Sequence, residues 1–120
     1  MQQNEPEVFI IDKLAARQLA AYNAADLDAF VACYHPTVRV VEDGEVGVVG
    51  QSALRERYAD LFAAGGFGAT VPARLVQGRH CVDLEAWWRI DPKSGARREG
   101  RLLVRYTEKE GLIGTVEFLD

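Results

Sequence analysis

One glutamine, Gln18, falls where the sequence pattern otherwise places apolar residues. It lies between Leu14 and Tyr22 on the apolar stripe of a predicted amphipathic helix. A buried amide without hydrogen-bond partners costs roughly 1–3 kcal/mol, so this side chain must contact an interior polar group, a water molecule or a ligand. Two interpretations stay open: Gln18 orients the oxygen of a ligand, or it satisfies a backbone group within the core.

A carboxylate, Glu42, occupies a comparable position on the first predicted strand, residues 38–43. Because side chains alternate along a strand, Glu42 shares its face with two valines. Burial beside valines and aromatic residues is expected to raise the pKa of Glu42, which suits a general base that moves a proton next to a carbonyl. The alternative is that Glu42 lies at the rim of a pocket and pairs with an arginine such as Arg55 or Arg57.

Three helical segments and the first strand must position these two side chains. The first helix is predicted to end at Asn23, and Asp26 is suited to cap a second helix that continues to Tyr34. A turn and a return strand over residues 46–49 follow. A third helix is then predicted for residues 51–64, so the helical part of the chain ends before the glycines that come next.

The second half of the chain is predicted to consist of antiparallel strands separated by turns. These strands cover residues 69–77, 80–90, 99–107 and 112–119. Helices followed by long strands indicate an α+β fold with the helices packed on one face of the sheet. At 120 residues, the whole chain (1–120) is expected to form a single domain.

Alternation also assigns the two faces of the later strands. The inward set is predicted to be apolar and aromatic: Val82, Leu84, Ala86, Trp88, Leu102, Val104, Tyr106, Val116 and Phe118. The outward set on residues 80–90 is then Cys81, Asp83, Glu85 and Trp87. Asp83 and Glu85 are therefore interpreted as sheet-surface or dimer-contact residues rather than as an acid–base pair.

The outward face of the predicted sheet combines charged side chains with large apolar ones. The apolar members are Trp87, Leu103, Ile113 and Leu119. A mixed face with a large aromatic residue favours a protein partner, and we expect a homodimer through this face. The alternative is a solvated face whose cross-strand ion pairs contribute little each.

Composition argues against several classes of function. The net charge is -4 and the basic residues are scattered, which is not the pattern of a nucleic-acid-binding protein. No apolar run has the length of a membrane span. The polar N-terminal residues lack the pattern of a signal peptide, so a cytoplasmic location is expected.

No metal or cofactor is predicted. The chain has only two histidines, and Cys33 and Cys81 lack the spacing of metal ligands. The glycines at positions 65, 66 and 68 follow a helix rather than a strand, and no lysine accompanies them as in a phosphate-binding loop. The ligand is instead expected to be a small apolar compound.

Three segments carry a resemblance to a known family: YNAADLDAFVACYHPTVRVVEDG, ALRERYADLF and EGLIGTVEFLD. Together they resemble the NTF2-like superfamily, and most closely its SnoaL-like and ketosteroid-isomerase-like branches. The resemblance covers residues 14–120 and implies a cone-shaped, curved, mainly antiparallel sheet with three N-terminal helices on its concave face, commonly in a dimer. This fold hosts isomerases, cyclases, dehydratases, hydrolases and non-catalytic binding modules, so the resemblance implies a fold more than an activity.

The chemistry of ketosteroid isomerases can be carried across residue by residue. These enzymes use a carboxylate base and an oxyanion hole made of a tyrosine and a protonated aspartic acid. An ungapped alignment of the shared turn places Glu42 at the base, Gln18 at the tyrosine and Val104 near the aspartic acid. The resemblance therefore preserves one of the three functional groups, replaces one by a weaker neutral donor and loses one.

Two functions follow as hypotheses. In the first, Glu42 is the base and Gln18 orients the carbonyl in a cofactor-independent isomerase, cyclase or dehydratase. In the second, the same pocket belongs to a non-catalytic ligand-binding or dimerisation module. The residues expected to line or support the pocket are Tyr34, Tyr58, Phe62, Trp88, Val104, Tyr106 and Phe118. The three tyrosines among them are the candidates for replacing the missing oxyanion-hole donors.

Overall fold

The computed structural model describes residues 10–119, and its helices come first in the chain. They are α1 (Ile10–Asn23), α2 (Leu27–Val31) and α3 (Gln51–Ala64). Asp26 caps α2 as predicted, because its carboxylate accepts a hydrogen bond from the Ala29 N–H at 3.1 Å. Within residues 10–119, no helix combines the length and the apolar character needed to cross a membrane.

Six strands complete the fold. They are β1 (Tyr34–Glu42), β2 (Glu45–Val49), β3 (Phe67–Gln77), β4 (His80–Ile90), β5 (Arg97–Lys109) and β6 (Leu112–Leu119). The predicted second helix was too long, because α2 ends at Val31 and Tyr34 already belongs to β1. Pro36 restricts only His35, the residue directly before it, and α2 ends earlier than this restriction requires.

The strands form one mixed, curved and unclosed sheet in the order β2-β1-β6-β5-β4-β3. Neighbouring strands are antiparallel, except that β1 runs parallel to β6. The helices pack on the concave face, where α1 buries Ile11, Leu14, Ala15 and Gln18. This arrangement confirms the α+β prediction and the NTF2-like cone.

The amide of Asn23 connects the end of α1 to the edge strand β3. Its Nδ2 donates to the carbonyl oxygen of Ala69 at 2.9 Å, and its Oδ1 accepts from the N–H of the same residue at 2.8 Å. The left-handed backbone of the following turn occurs at Ala25, with a φ of 54°, rather than at Asn23. Asn23 therefore holds helix and sheet together and does not itself reverse the chain.

The predicted faces of β4 were reversed. The register pairs Glu85 with Leu102 and Asp83 with Val104, and Val104 is fully buried on the concave side. Residues at paired positions share a face, so Asp83 and Glu85 point inward as well.

The dimer argument loses Trp87 for the same reason. It also loses Ile113, which is fully buried in the core, and Leu119, which lines the cavity, so Leu103 alone remains of the four predicted apolar residues.

The buried carboxylate of Asp83 is neutralised by Arg74 on the neighbouring strand. Arg74 Nε lies 2.6 Å from Asp83 Oδ1 and its Nη2 lies 2.9 Å from Oδ2, which is the bidentate geometry that suits a guanidinium. The side chain of Asp83 is only 2% exposed. Arg74 Nη1 also donates to the carbonyl oxygen of Asp12, so the same guanidinium ties α1 to the sheet.

Candidate functional site

A cavity of about 530 Å³ lies between the helices and the concave face of the sheet. Six of the side chains singled out from the sequence lie on its wall: Gln18, Tyr34, Glu42, Tyr58, Tyr106 and Phe118. They come from α1, β1, α3, β5 and β6, so the cavity is assembled from nearly the whole fold. A pocket of this size suits a compound of drug-like or steroid-like dimensions.

The other three predicted lining residues lie elsewhere. Phe62 packs in an aromatic cluster beneath the wall, 5.2 Å between ring centroids from both Phe30 and Phe67. Val104 is fully buried in the core. Trp88 is on the convex face of the sheet, where its indole lies against Gly68 because that residue has no side chain.

The buried amide of Gln18 joins two tyrosines. Gln18 Nε2 lies 3.1 Å from the carbonyl oxygen of Ala15 and 3.1 Å from the hydroxyl of Tyr106. The hydroxyl of Tyr34 lies 3.0 Å from Gln18 Oε1. The amide orientation is fixed by Ala15, since a carbonyl oxygen accepts only and must face the NH₂ group.

The direction of these hydrogen bonds decides which tyrosine has a proton to offer. Gln18 Oε1 accepts only, so Tyr34 donates to it and its single O–H is used. The phenol oxygen of Tyr106 accepts a hydrogen bond from Gln18 Nε2–H, and within residues 10–119 its own O–H has no acceptor. Because Tyr106 lines the cavity, its proton is available to a ligand.

The hydroxyls of this network stay protonated over the physiological range. Burial raises the pKa values of Tyr34 and Tyr106 well above the ordinary value of 10.0. Burial also raises the pKa of Tyr58 to about 12. These phenols are therefore hydrogen-bond donors and not bases in the cavity.

Glu42 lies at the rim of the cavity and forms an ion pair with Arg57 of α3. Its side chain is 45% exposed, and that of Arg57 is 42% exposed. The expected burial of Glu42 is therefore wrong, and the pairing with an arginine that was the alternative is observed. Burial and the hydrogen bond to Glu42 act in opposite senses on Arg57, and the hydrogen bond prevails and raises the pKa of Arg57.

The carboxylate that faces the interior is Glu85 of β4, which the sequence had assigned to the outer surface. Glu85 lines the cavity and is partly buried. Burial raises the pKa of Glu85 most, the nearby carboxylate of Asp83 raises it further, and Arg89 lowers it by less. Within residues 10–119, no hydrogen-bond donor or cation lies within bonding distance of the Glu85 carboxylate.

Three further side chains that the sequence did not indicate lie on the wall beyond Glu85. Trp87 lies flat across Gly100 of β5, where a β-carbon would come within 2.4 Å of the indole. Arg89 and Arg98 face each other across β4 and β5 and also line the cavity. In the described part of the chain, no group of three or more His, Cys, Asp or Glu side chains is arranged to hold a metal ion.

A one-sided cavity between a curved sheet and its covering helices defines this protein as an NTF2-like pocket protein. The chain belongs to the SnoaL-like domain family, whose model matches residues 15–114. A search of curated proteins gave no significant match.

Solved structures of low sequence identity share the fold. A Δ5-3-ketosteroid isomerase from Mycobacterium sp. is 16% identical, with a TM-score of 0.82 and 94% of each chain covered. A Mycobacterium tuberculosis protein in complex with estradiol-17beta-hemisuccinate is 14% identical, with a TM-score of 0.82, 94% of this chain and 95% of that chain covered. A putative polyketide cyclase from Sinorhizobium meliloti is 19% identical, with a TM-score of 0.74, 93% of this chain and 100% of that chain covered.

Proposed function

We propose that the protein binds a small, largely apolar carbonyl compound in the cavity and catalyses proton transfer on it without a cofactor. The observation that carries the proposal is Glu85, a partly buried carboxylate that faces the cavity without a bonding partner among residues 10–119. The reaction class is that of an isomerase, cyclase or dehydratase. The ketosteroid isomerase and the putative polyketide cyclase with the same fold support this class by analogy.

Glu85 is the proposed base. In its ionised form it removes a proton from the carbon next to the carbonyl, and the electron pair moves to the carbonyl oxygen as the enolate forms. The same residue, now protonated, returns the proton to the substrate. A carboxyl whose pKa is raised by burial holds a proton more tightly than a free one, which brings it closer to the pKa that suits this exchange near neutral pH.

Tyr106 is the proposed donor to the substrate oxygen. Its free O–H stabilises the negative charge that develops on that oxygen, and Gln18 holds the phenol in place. Gln18 is therefore a positioning residue in this proposal, and Tyr106 takes the place of the donors that the ketosteroid isomerase pattern predicted elsewhere. Glu42 as base remains a second assignment, and its ion pair with Arg57 makes it the weaker one.

Deuterium exchange tests this proposal without knowledge of the natural substrate. The probe is 2-tetralone in D₂O, and NMR follows the loss of its α-proton signals in the presence of the protein. We expect exchange above the buffer rate, lost in Glu85→Gln and retained in Glu117→Gln. Glu117 is a matched control because it lies on the convex face and pairs with Arg105. Full exchange in Glu85→Gln together with its loss in Glu42→Gln would assign the base to Glu42 instead.

The second candidate function is a binding module that does no chemistry. Two observations favour it: Glu42 is paired at the rim, and the amide of Gln18 is already satisfied by protein groups. The same NMR experiment separates the two functions. Ligand signals that broaden or shift on binding, with exchange at the buffer rate, would identify the module.

Dimerisation through the convex face is a separate proposal. With the faces of β4 corrected, this surface carries Leu75, whose exposed fraction is 77%, and Leu103, at 41%. Exposed leucines on a sheet face favour a partner. Sedimentation equilibrium tests the proposal: a dimer is expected for the native chain, and Leu103→Lys is expected to weaken it. A monomer at millimolar concentration would contradict it.

A further inference from the structure

Two arginines face each other at the mouth of the cavity. Arg89 of β4 and Arg98 of β5 occupy directly paired positions in the antiparallel ladder, and both line the cavity. Like charges at paired positions of a ladder destabilise the sheet. The arrangement therefore calls for a source of compensating negative charge.

The protein itself supplies little of that charge. In the described part of the chain, five other arginines have a carboxylate within 3 Å: Arg55, Arg57, Arg74, Arg97 and Arg105. Within residues 10–119, neither Arg89 nor Arg98 has a carboxylate within the 4 Å of an ion pair. Asp91, whose carboxylate Arg98 influences only at longer range, accepts hydrogen bonds from the backbone N–H groups of Lys93 and Ser94 instead.

The opposite side of the mouth is electrically different. There Arg57 is paired with Glu42, so that side carries no net charge. On the β4–β5 side, two arginines face one carboxylate, Glu85, which interacts with Arg89 at longer range, so this side carries net positive charge. This asymmetry would orient a ligand that has one anionic end.

The wall next to the two arginines is apolar and flat. The guanidinium carbon of Arg89 lies 5.9 Å from the centroid of the Trp87 ring, and that ring lies over Gly100. A planar apolar group can stack on this indole while an attached anion reaches the arginines. Deeper in the cavity, the free hydroxyl of Tyr106 is positioned for an oxygen at the other end of the ligand.

We infer that the ligand is an apolar compound that carries a carboxylate, and that Arg89 and Arg98 bind this carboxylate at the mouth of the cavity. The inference rests on the proposed pocket function and adds the chemical class of the ligand. A planar carboxylate matches the two guanidinium forks, each of which offers parallel N–H donors. The apolar body then lies against Trp87.

A matched pair of probes tests the inference. The probes are 6-hydroxy-2-naphthoate and its uncharged analogue 6-hydroxy-2-naphthamide, with binding measured by calorimetry and by naphthalene fluorescence. We expect the acid to bind at least about ten-fold more tightly than the amide, because only the acid can form charge-assisted hydrogen bonds with the two guanidinium groups. Sodium chloride is expected to weaken binding of the acid and to leave binding of the amide unchanged.

Variants locate the effect. Arg89→Gln and Arg98→Gln are each expected to weaken binding of the acid about ten-fold and to leave the amide unaffected. Arg101→Gln is the control, because Arg101 also belongs to β5 but is exposed on the convex face, opposite to the cavity. It should change neither affinity.

Three outcomes would overturn the inference, and they are distinguishable. Equal affinities of acid and amide would show that the carboxylate does not contribute to binding, and the proposal of an apolar pocket would stand. An equal loss for both probes in Arg89→Gln and Arg98→Gln would show that the arginines only support the wall. Failure of both probes to bind native protein would overturn the carboxylate inference together with the pocket function on which it rests.

Discussion

Gln18 and Tyr106, which lie 88 positions apart in the chain, are joined by one hydrogen bond of 3.1 Å from the amide Nε2 to the phenol oxygen. The hydroxyl of Tyr34 donates a hydrogen bond to the oxygen of the same amide. Tyr34 and Tyr106 are both buried and both contact this amide. They differ in where their protons go, and this difference gives the first prediction.

Removing the hydroxyl of Tyr106 should lower activity far more than removing that of Tyr34, although each removal leaves one polar atom of the Gln18 amide unpaired. Tyr106→Phe deletes the donor to the substrate, so exchange of 2-tetralone should fall on the order of a hundred-fold or more. Tyr34→Phe leaves Gln18 Oε1 without a donor and Tyr106→Phe leaves one Gln18 Nε2–H without an acceptor, so each should lower the free energy of unfolding by about 1–3 kcal/mol. Urea unfolding and NMR exchange measure the two effects. Equal exchange rates in the two variants would contradict the proton assignment.

The stability of Glu85→Gln relative to the native chain should depend on pH. Burial raises the pKa of Glu85 above its ordinary value of 4.5. A carboxyl with a raised pKa in the folded state contributes stability at low pH, and this contribution is lost as pH rises through the folded-state pKa. Glutamine does not titrate, so Glu85→Gln should gain stability relative to the native chain as the pH rises above the ordinary pKa of 4.5, until Glu85 is ionised in the folded state as well. Urea unfolding across this range, with Glu117→Gln as the control, measures the difference; a constant difference would contradict the burial of Glu85.

Loss of Arg74 should destabilise the fold far more than loss of Arg105, although each pairs with one carboxylate. Arg74→Met leaves the buried charge of Asp83 without a partner, which should cost about 3–5 kcal/mol. Arg105→Met breaks an exposed pair with Glu117, which should cost at most about 1 kcal/mol. Thermal and urea unfolding compare the two. If they cost the same, the burial of Asp83 is not what makes its ion pair important.

A methyl group at Gly100 should disturb the cavity wall. A β-carbon there would come within 2.4 Å of the Trp87 ring, so the indole must move. Overpacking of this kind costs about 1–3 kcal/mol, and Gly100→Ala should also shift the fluorescence of Trp87. Gly47→Ala is the control, because a β-carbon at Gly47 meets nothing within 4 Å. Wild-type stability and fluorescence in Gly100→Ala would show that the ring does not lie across β5.

The alternation of residue types predicted the face of β1 correctly but not that of β4. On β1, Val38 and Val40 are buried as expected, because that strand has apolar residues at alternate positions of one face. On β4 both faces contain apolar residues, so alternation alone does not show which face points inward. Polar side chains can lie on the inner face of β4 because Asp83 forms an ion pair with Arg74 and Glu85 faces the cavity rather than the packed core.

A signal for the correct face was present in the hairpin between β4 and β5. The turn pairs Ile90 with Arg97, so each odd-numbered residue of β4 lies opposite an even-numbered residue of β5. The inward side chains of β5 are at even positions, such as Leu102 and Tyr106. Those of β4 must then be at odd positions, which places Glu85 inward. The length of the turn therefore decides the face where composition is ambiguous.

The environment of Glu42 could not be predicted from local sequence. Its position on the strand follows from alternation, but its partner comes from α3, and only the packing of that helix brings Arg57 to the rim. Arg55, which is equally close in sequence, pairs with Asp28 of α2 instead. The choice between the two arginines depends on how α3 is rotated, and this is a property of the tertiary structure.

The parallel pairing of β1 with β6 has a consequence for the order of folding. Among the strands of residues 10–119, the β1–β2 hairpin joins the rest of the sheet only through β6. Such long-range pairing slows folding, because a large loop must close before the contact is gained. The cavity wall includes Val40 of β1 and Phe118 of β6, so no ligand can assist the early steps of folding. During synthesis on a ribosome, the edge of β1 that pairs with β6 stays without this partner until β6 emerges.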